Sequence, residues 1–104
     1  MALRVKVCKL TEVVDGQMRA FKVRGVTWPV IVARVDGELF ACPGVCPHED
    51  VELIDGDLEG TVITCPGHSY EFDLRTGTCV HDRTLNLRRY PVHVVGDELW
   101  VDLF

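Results

Sequence analysis

Two short knuckles, Cys46-Pro47-His48 and Cys65-Pro66-Gly67-His68, lie sixteen residues apart in this chain. Each knuckle offers one thiolate and one imidazole, so four side chains are available to a single inorganic site. Sulfur and imidazole nitrogen are the ligands that zinc and the soft transition-metal centres prefer in proteins. The two knuckles therefore predict a metal centre, and the rest of the chain has to fold so that they meet.

The distribution of the ligands narrows the kind of metal centre. A zinc finger usually carries two cysteines in one knuckle and two histidines further along, whereas here each knuckle is mixed. Mixed knuckles suit a two-metal cluster, because the cysteine of each loop can reach one iron and the histidine of each loop can reach the other. A Cys2His2 zinc site on the same four residues is the alternative.

The motif Cys-x-His, a gap of sixteen residues and Cys-x-x-His resembles that of the Rieske ferredoxins, in which two histidines replace two cysteines on one iron. The resemblance implies one Rieske-type [2Fe-2S] cluster. It assigns Cys46 and Cys65 to the inner iron and His48 and His68 to the outer, more exposed iron.

Length and composition predict one globular domain, since the chain has 104 residues with 47% apolar and 26% charged content. The first eight residues contain no apolar run long enough for a signal peptide or a membrane span. We therefore expect a cytoplasmic protein with neither a membrane nor a nucleic acid as partner. Five cysteines without an export signal argue against a disulfide framework, so we expect Cys8, Cys42 and Cys79 to be reduced thiols.

The local patterns predict strands and no helix. Residues 19–24 alternate polar and apolar side chains, and residues 30–35 are rich in β-branched side chains. Asp36-Gly37 predicts a tight hairpin turn that leads into the first knuckle, and residues 90–103 predict a second hairpin around Gly96-Asp97. The predicted fold class is all-β.

Within the all-β class, the family resemblance implies a Rieske fold of stacked antiparallel sheets. It implies a single Rieske domain over residues 1–104. A small cluster-binding subdomain of about residues 43–84 would be inserted in a basal β-domain formed by residues 1–42 and 85–104.

The segment between the knuckles is acidic and rich in turn residues. It is expected to be either a solvated loop or, because it lies next to the predicted cluster, a docking surface. His81 and His93 lie outside the motif and are expected to be structural. The acidic residues are Glu49, Asp50, Glu52, Asp55, Asp57 and Glu59.

Two departures from the respiratory Rieske pattern indicate the subfamily. Val51 and Gly67 stand where those proteins carry a disulfide, and Tyr70 and Phe72 stand where they carry a serine and a tyrosine. The chain thus resembles the soluble ferredoxins that serve bacterial aromatic-ring dioxygenases or toluene-type monooxygenases.

The resemblance implies a one-electron carrier and not an enzyme. Its partners would be a flavin-containing reductase and a terminal oxygenase, bound transiently by a monomer. Two alternatives remain open: the Rieske-type small subunit of a nitrite-reductase-like enzyme, and a redox-sensing module.

Overall fold

The computed structural model describes residues 3–47, 51–67, 70–82 and 84–103. Short 3-10 helices span Leu10–Glu12 and Leu53–Asp55 in this part of the chain. The strands are β1 Arg4–Lys9, β2 Gln17–Phe21, β3 Val30–Val35, β4 Glu38–Pro43, β5 Asp57–Glu59, β6 Val62–Thr64, β7 Glu71–Asp73, β8 Val92–Val95 and β9 Glu98–Asp102.

These strands form three antiparallel sheets within the described residues. Their strand orders are β1-β9-β8, β2-β3-β4 and β5-β6-β7. The predicted all-β class with antiparallel sheets is confirmed. No helix in the described segments is long and apolar enough to cross a membrane.

Strand β3 connects the two hydrophobic cores that the described residues form. Successive side chains of a strand point to opposite faces, and Val30 and Val32 pack in a core with Leu99 of β9. Ile31 and Ala33 pack on the other face with the residues of β6 and β7. Burial on both faces explains why this strand is apolar without alternation.

The hairpin turn at Asp36-Gly37 sets the register of β3 and β4. Both residues have positive φ, 51° and 80°, as the tight turn of a two-residue hairpin requires. Val35 pairs with Glu38, and the ladder continues to Val30 opposite Pro43. The predicted turn is therefore confirmed, and β4 ends three residues before Cys46.

Two details of the sequence interpretation were wrong. The alternation over residues 19–24 predicted a strand in that position, but β2 covers Gln17–Phe21, because its pairing with β3 ends at Val30. The composition of the acidic segment predicts a turn-rich loop, yet residues 57–59 form β5 through pairing with β6.

An arginine clamp joins the β5-β6-β7 sheet to the hairpin of β3 and β4. Arg75, just after β7, donates from Nη1 to both carboxylate oxygens of Glu38 at 3.1 Å. Its guanidinium carbon lies 5.6 Å from the centre of the Phe40 ring. Arg89 donates to the Arg75 carbonyl. Since the ion pair is exposed, it contributes little to stability.

A second polar network crosses the β1-β9-β8 sheet. Asp102 on the central strand accepts hydrogen bonds from Arg4 Nε on β1 and from His93 Nε2 on β8, each at 2.8 Å. The hydrogen bond from Arg4 is the main cause that holds the pKa of Asp102 below its ordinary value, followed by that from His93. His93 thus has the structural role expected of it.

The cysteines outside the knuckles are buried. Burial raises the pKa of the Cys8 thiol to about 11 and that of the Cys42 thiol to about 12. Both are protonated at neutral pH, which makes them poor nucleophiles and poor metal ligands. Cys79 is 1% exposed and packs in the same core as Phe72.

Candidate metal centre

The cysteines of the two knuckles lie in one buried core. Cys46 comes three residues after β4, and Cys65 follows β6 directly. Their side chains are 4% and 0% exposed, and both pack in the cluster that contains Ile63. The fold thus places in one core two sulfur side chains that are nineteen positions apart in the sequence.

The backbone closes both knuckles in the same way. The Cys46 amide donates to the Val51 carbonyl at 3.0 Å, and the Cys65 amide donates to the Tyr70 carbonyl at 2.8 Å. Each hydrogen bond spans five residues, so each cysteine begins a six-residue loop of the same length. The other predicted ligands, His48 and His68, belong to these loops but lie outside the described residues, as do Glu49 and Asp50.

The first knuckle is anchored to the β2-β3-β4 sheet by Gly44. Its amide donates to the Pro29 carbonyl at 2.8 Å, and its carbonyl accepts the Leu53 amide at 2.8 Å. A Cβ at this position would lie 2.8 Å from Pro29 Cγ. The lack of a side chain therefore allows the chain to pass close to Pro29 on its way to Cys46.

The second contact that fixes the knuckles is made by Gly56. A Cβ on this residue would lie 1.8 Å from the Thr64 carbonyl oxygen and 3.2 Å from Pro66 Cδ. Backbone thus meets backbone between the end of the 3-10 helix at Leu53–Asp55 and the residue before Cys65. This contact holds the segment that follows the first knuckle against the start of the second.

The surroundings of the cysteines suit a metal centre. A thiolate among apolar side chains is costly unless a cation offsets its charge, and here Leu53, Ile63 and Phe72 are each 0% exposed. Two sulfur donors in such a core fit iron in a [2Fe-2S] cluster, and on donor chemistry alone they also fit zinc. Pro47, Pro66 and Gly67, next to the cysteines, are exposed, so the loops run from the core to the surface.

An aromatic pair braces the end of the second knuckle. The ring of Tyr70 stacks on that of His81, with centroids 6.1 Å apart and planes at 29°. His81 Nε2 donates to Glu71 Oε1 at 3.2 Å. His81 therefore supports the residue that closes the second loop, which is the structural role expected of it.

Comparison with protein families decides between the two kinds of metal centre. The model of the Rieske [2Fe-2S] domain matches residues 4–91. The chain belongs to the Rieske [2Fe-2S] family. Its cofactor is one Rieske-type [2Fe-2S] cluster, and the zinc alternative is set aside.

Relatives of this Rieske protein come from two kinds of oxygenase system. The ferredoxin component of biphenyl 2,3-dioxygenase from Rhodococcus jostii (strain RHA1) is 36% identical over 104 residues, covering 99% of this chain and 94% of the relative. The ferredoxin component of the alkene monooxygenase system of Xanthobacter autotrophicus (strain ATCC BAA-1158 / Py2) is 30% identical, covering 93% and 79%. The protein is thus a ferredoxin, an electron-transfer component and not a catalyst.

A solved structure supports the fold of this Rieske ferredoxin. The complex of reduced oxygenase and oxidised ferredoxin in carbazole 1,9a-dioxygenase contains a chain that matches with a TM-score of 0.85 and 31% identity. The match covers 95% of this chain and 92% of the other. The predicted Rieske fold is confirmed, and the alternatives of a nitrite-reductase-like subunit or a sensor gain no support from these relatives.

Gly44 and Gly56 are the site residues that sequence reasoning missed. Gly44 has no part in the predicted motif, and Gly56 lies in the segment that is predicted to be rich in turns. The available signal was position, since Gly44 lies two residues before Cys46 and Gly56 lies midway between the two cysteines. A glycine at such a place indicates either a turn or a close backbone approach, and only the folded chain distinguishes the two.

Replacing Gly56 tests the contact between the knuckles. Gly56→Ala should lower the free energy of unfolding by about 3 kcal/mol, because the new methyl group overlaps backbone that cannot move aside cheaply. The cluster should also be lost at a lower temperature. Thermal unfolding followed by circular dichroism and by visible absorbance measures both effects.

Gly60→Ala is the matched control for this change. Gly60 has a φ of 59° and no atom within 4 Å of a Cβ placed on it, so alanine there should cost only roughly 1 to 2 kcal/mol of backbone strain. Equal stability of the two variants would show that the Gly56 contact does not hold the knuckles.

Proposed function

We propose that this ferredoxin carries single electrons from a flavin-containing reductase to a terminal oxygenase. In this proposal Cys46 and Cys65 hold the inner iron of the cluster, and His48 and His68 hold the outer iron. The observation that carries the proposal is the burial in one core of two cysteines that stand at the starts of two loops closed by equivalent hydrogen bonds. The relatives in oxygenase systems support the choice of partners.

The chain's own residues provide rigidity and exclude water. When bound, a Rieske cluster supplies a centre that takes up and releases one electron. Burial of Cys46 and Cys65 beside Phe72 keeps solvent from the sulfur ligands. The exposed prolines that follow the two cysteines restrict φ and limit the motion of the loops. A rigid, dry ligand set close to the surface suits repeated electron transfer.

We also propose how the chain is organised and where it works. The cluster-binding subdomain comprises about residues 43–84, within a single Rieske domain over residues 1–104, and the remaining strands form the basal part. The β5-β6-β7 sheet lies within that subdomain, which supports the division. The protein acts as a monomer in the cytoplasm and leaves its partners quickly after transfer.

The acidic segment provides the first docking surface in this proposal. Glu52, Asp55, Asp57 and Glu59 are all exposed, and they lie on the 3-10 helix region and on β5, at the edge of the sheet that carries Cys65. The chain as a whole has a formal net charge of −5. An acidic surface next to the cluster attracts basic patches on partners and speeds their encounter.

The ligand assignment predicts the cluster content of the purified protein. Two irons and two acid-labile sulfides per chain are expected, and His68→Ala should abolish the Rieske absorption and electron paramagnetic resonance signals. His93→Ala, a histidine bound only to Asp102 within the described residues, should retain them. Stoichiometric zinc without labile sulfide in anaerobically prepared protein would overturn the assignment.

Neutralising the acidic surface should slow electron transfer. The double variant Asp55→Asn, Asp57→Asn should lower the second-order rate with its partners at low ionic strength by about threefold, because electrostatic steering is weakened. Stopped-flow absorbance measures this rate. The difference should shrink as salt screens the charges.

Asp36→Asn, Asp97→Asn is the control for the acidic surface. It removes the same charge at the two hairpin turns of the other sheets and should change the rate much less. If both double variants lowered the rate equally, the rate would depend on net charge and not on the acidic surface.

Phenylalanine at position 72 indicates a low reduction potential. A hydrogen bond to a cluster sulfur favours the reduced state, and phenylalanine offers no hydroxyl, so the midpoint should lie near the lower end of the Rieske range, roughly −150 mV. Phe72→Tyr should raise it, while Phe21→Tyr in the other core should not. A wild-type midpoint above about +100 mV in protein-film voltammetry would contradict this expectation.

A further inference from the structure

A cleft of about 480 Å³ opens beside the first knuckle, between the loop that joins β2 to β3 and the residue before the 3-10 helix at Leu53–Asp55. Its walls carry opposite charges. The lining residues include Lys22 and Arg24, called the basic wall, then Val26, Trp28 and Pro29, called the floor, and Glu52, called the acidic wall.

The two cations of the basic wall form no ion pair within the described residues. Lys22 and Arg24 are exposed, and neither makes a hydrogen bond or an ion pair with any residue that the structure describes. Other cations of the chain are engaged, such as Lys6 with Glu98 at 2.7 Å and Arg75 with Glu38 at 3.1 Å. Two neighbouring cations without such partners stand out on a protein of net charge −5.

The floor of the cleft is fixed and apolar. The Trp28 indole N–H donates to the Tyr90 hydroxyl at 3.0 Å, which holds the half-buried ring in place. Pro29 and Val26 lie beside it. Such a surface packs against the carbon atoms of an entering side chain, while the cations on the wall bind its charge.

The cleft is directly connected to the first knuckle. Gly44 bonds to the Pro29 carbonyl of the floor, and Val45 forms a bridge with Glu52 of the acidic wall. Cys46 is the next residue. A partner seated in the cleft is therefore placed against the strand end that delivers a cysteine of the cluster, and not at a remote surface.

We propose that this cleft receives an acidic side chain of the terminal oxygenase, so that docking uses a basic subsite beside the acidic surface. The inference rests on the proposed function. Lys22 and Arg24 bind the carboxylate, and Glu52 faces a cation next to it. Alternating charges around the cluster fix the rotation of the partner, which a purely acidic surface cannot do. The solved ferredoxin–oxygenase complex of carbazole 1,9a-dioxygenase favours the oxygenase as the occupant.

Charge reversal separates this subsite from general steering. Lys22→Glu, Arg24→Glu makes the chain more acidic, so net attraction to a basic partner predicts faster or unchanged transfer. Binding of an acidic side chain in the cleft predicts slower transfer instead. The second-order rate of electron transfer from the reduced holoprotein to the oxidised oxygenase, measured by stopped flow at low ionic strength, should fall at least about fivefold.

Several controls keep the outcome specific. Lys22→Glu alone should slow transfer, whereas Lys9→Glu, the same change at an exposed position on β1, should alter the rate less than about twofold. Reduction of the double variant by the reductase should also change less than about twofold. Iron content and midpoint potential should equal those of the wild type, which excludes damage to the cluster.

Three results would overturn the inference: an unchanged or faster rate with the oxygenase, an equal effect of Lys9→Glu, or an equal loss with the reductase. Each of them leaves electron transfer by the wild-type protein intact. A wild-type protein that does not reduce the oxygenase would instead refute the proposed function, so the two failures are distinguishable.

Discussion

The close approach of the Gly56 backbone to the Thr64 carbonyl, next to the pairing of Asp57 with Thr64, holds the segment that follows Cys46 against the residue before Cys65. A backbone hydrogen bond closes each knuckle, from the Cys46 amide to the Val51 carbonyl in the first and from the Cys65 amide to the Tyr70 carbonyl in the second. Each of these hydrogen bonds lies within one loop, so it does not fix the distance between the two loops. The absence of a side chain at Gly56 lets the segment after Cys46 lie on the residue before Cys65, and the core formed by Ile63 and Phe72 then fills the space beneath.

Much of this arrangement could be predicted from the sequence, because the deciding signals are local. The β-branched run Val30–Val35 and the Asp36-Gly37 turn specify a hairpin without help from the rest of the chain, and the structure has it at those residues. The spacing of Cys46 and Cys65 indicated a shared site, and the fold brings both cysteines into one core. The roles of His48 and His68 as ligands stay a prediction.

The parts that could not be predicted depend on contacts between distant segments. Asp-Leu-Glu at residues 57–59 has poor strand propensity, and it becomes β5 only because β6 offers a free edge to pair with. The end of β2 at Phe21 is set by the end of its partner strand and not by the alternation that continues to Arg24. The glycine at position 56 indicates a turn or a close backbone approach, and only its contact with the distant Thr64 decides between the two.

Because β3 is buried on both faces, alternate residues of this strand pack in different cores. Even-numbered positions of this strand, such as Val30 and Val32, contribute to the core of the β1-β9-β8 sheet, while Ile31 and Ala33 contribute to the core around the cysteines. Residues that are neighbours in the sequence thus pack in separate cores. Over evolutionary time, substitutions can therefore accumulate in the core around Cys46 and Cys65 while the core of the β1-β9-β8 sheet keeps its composition.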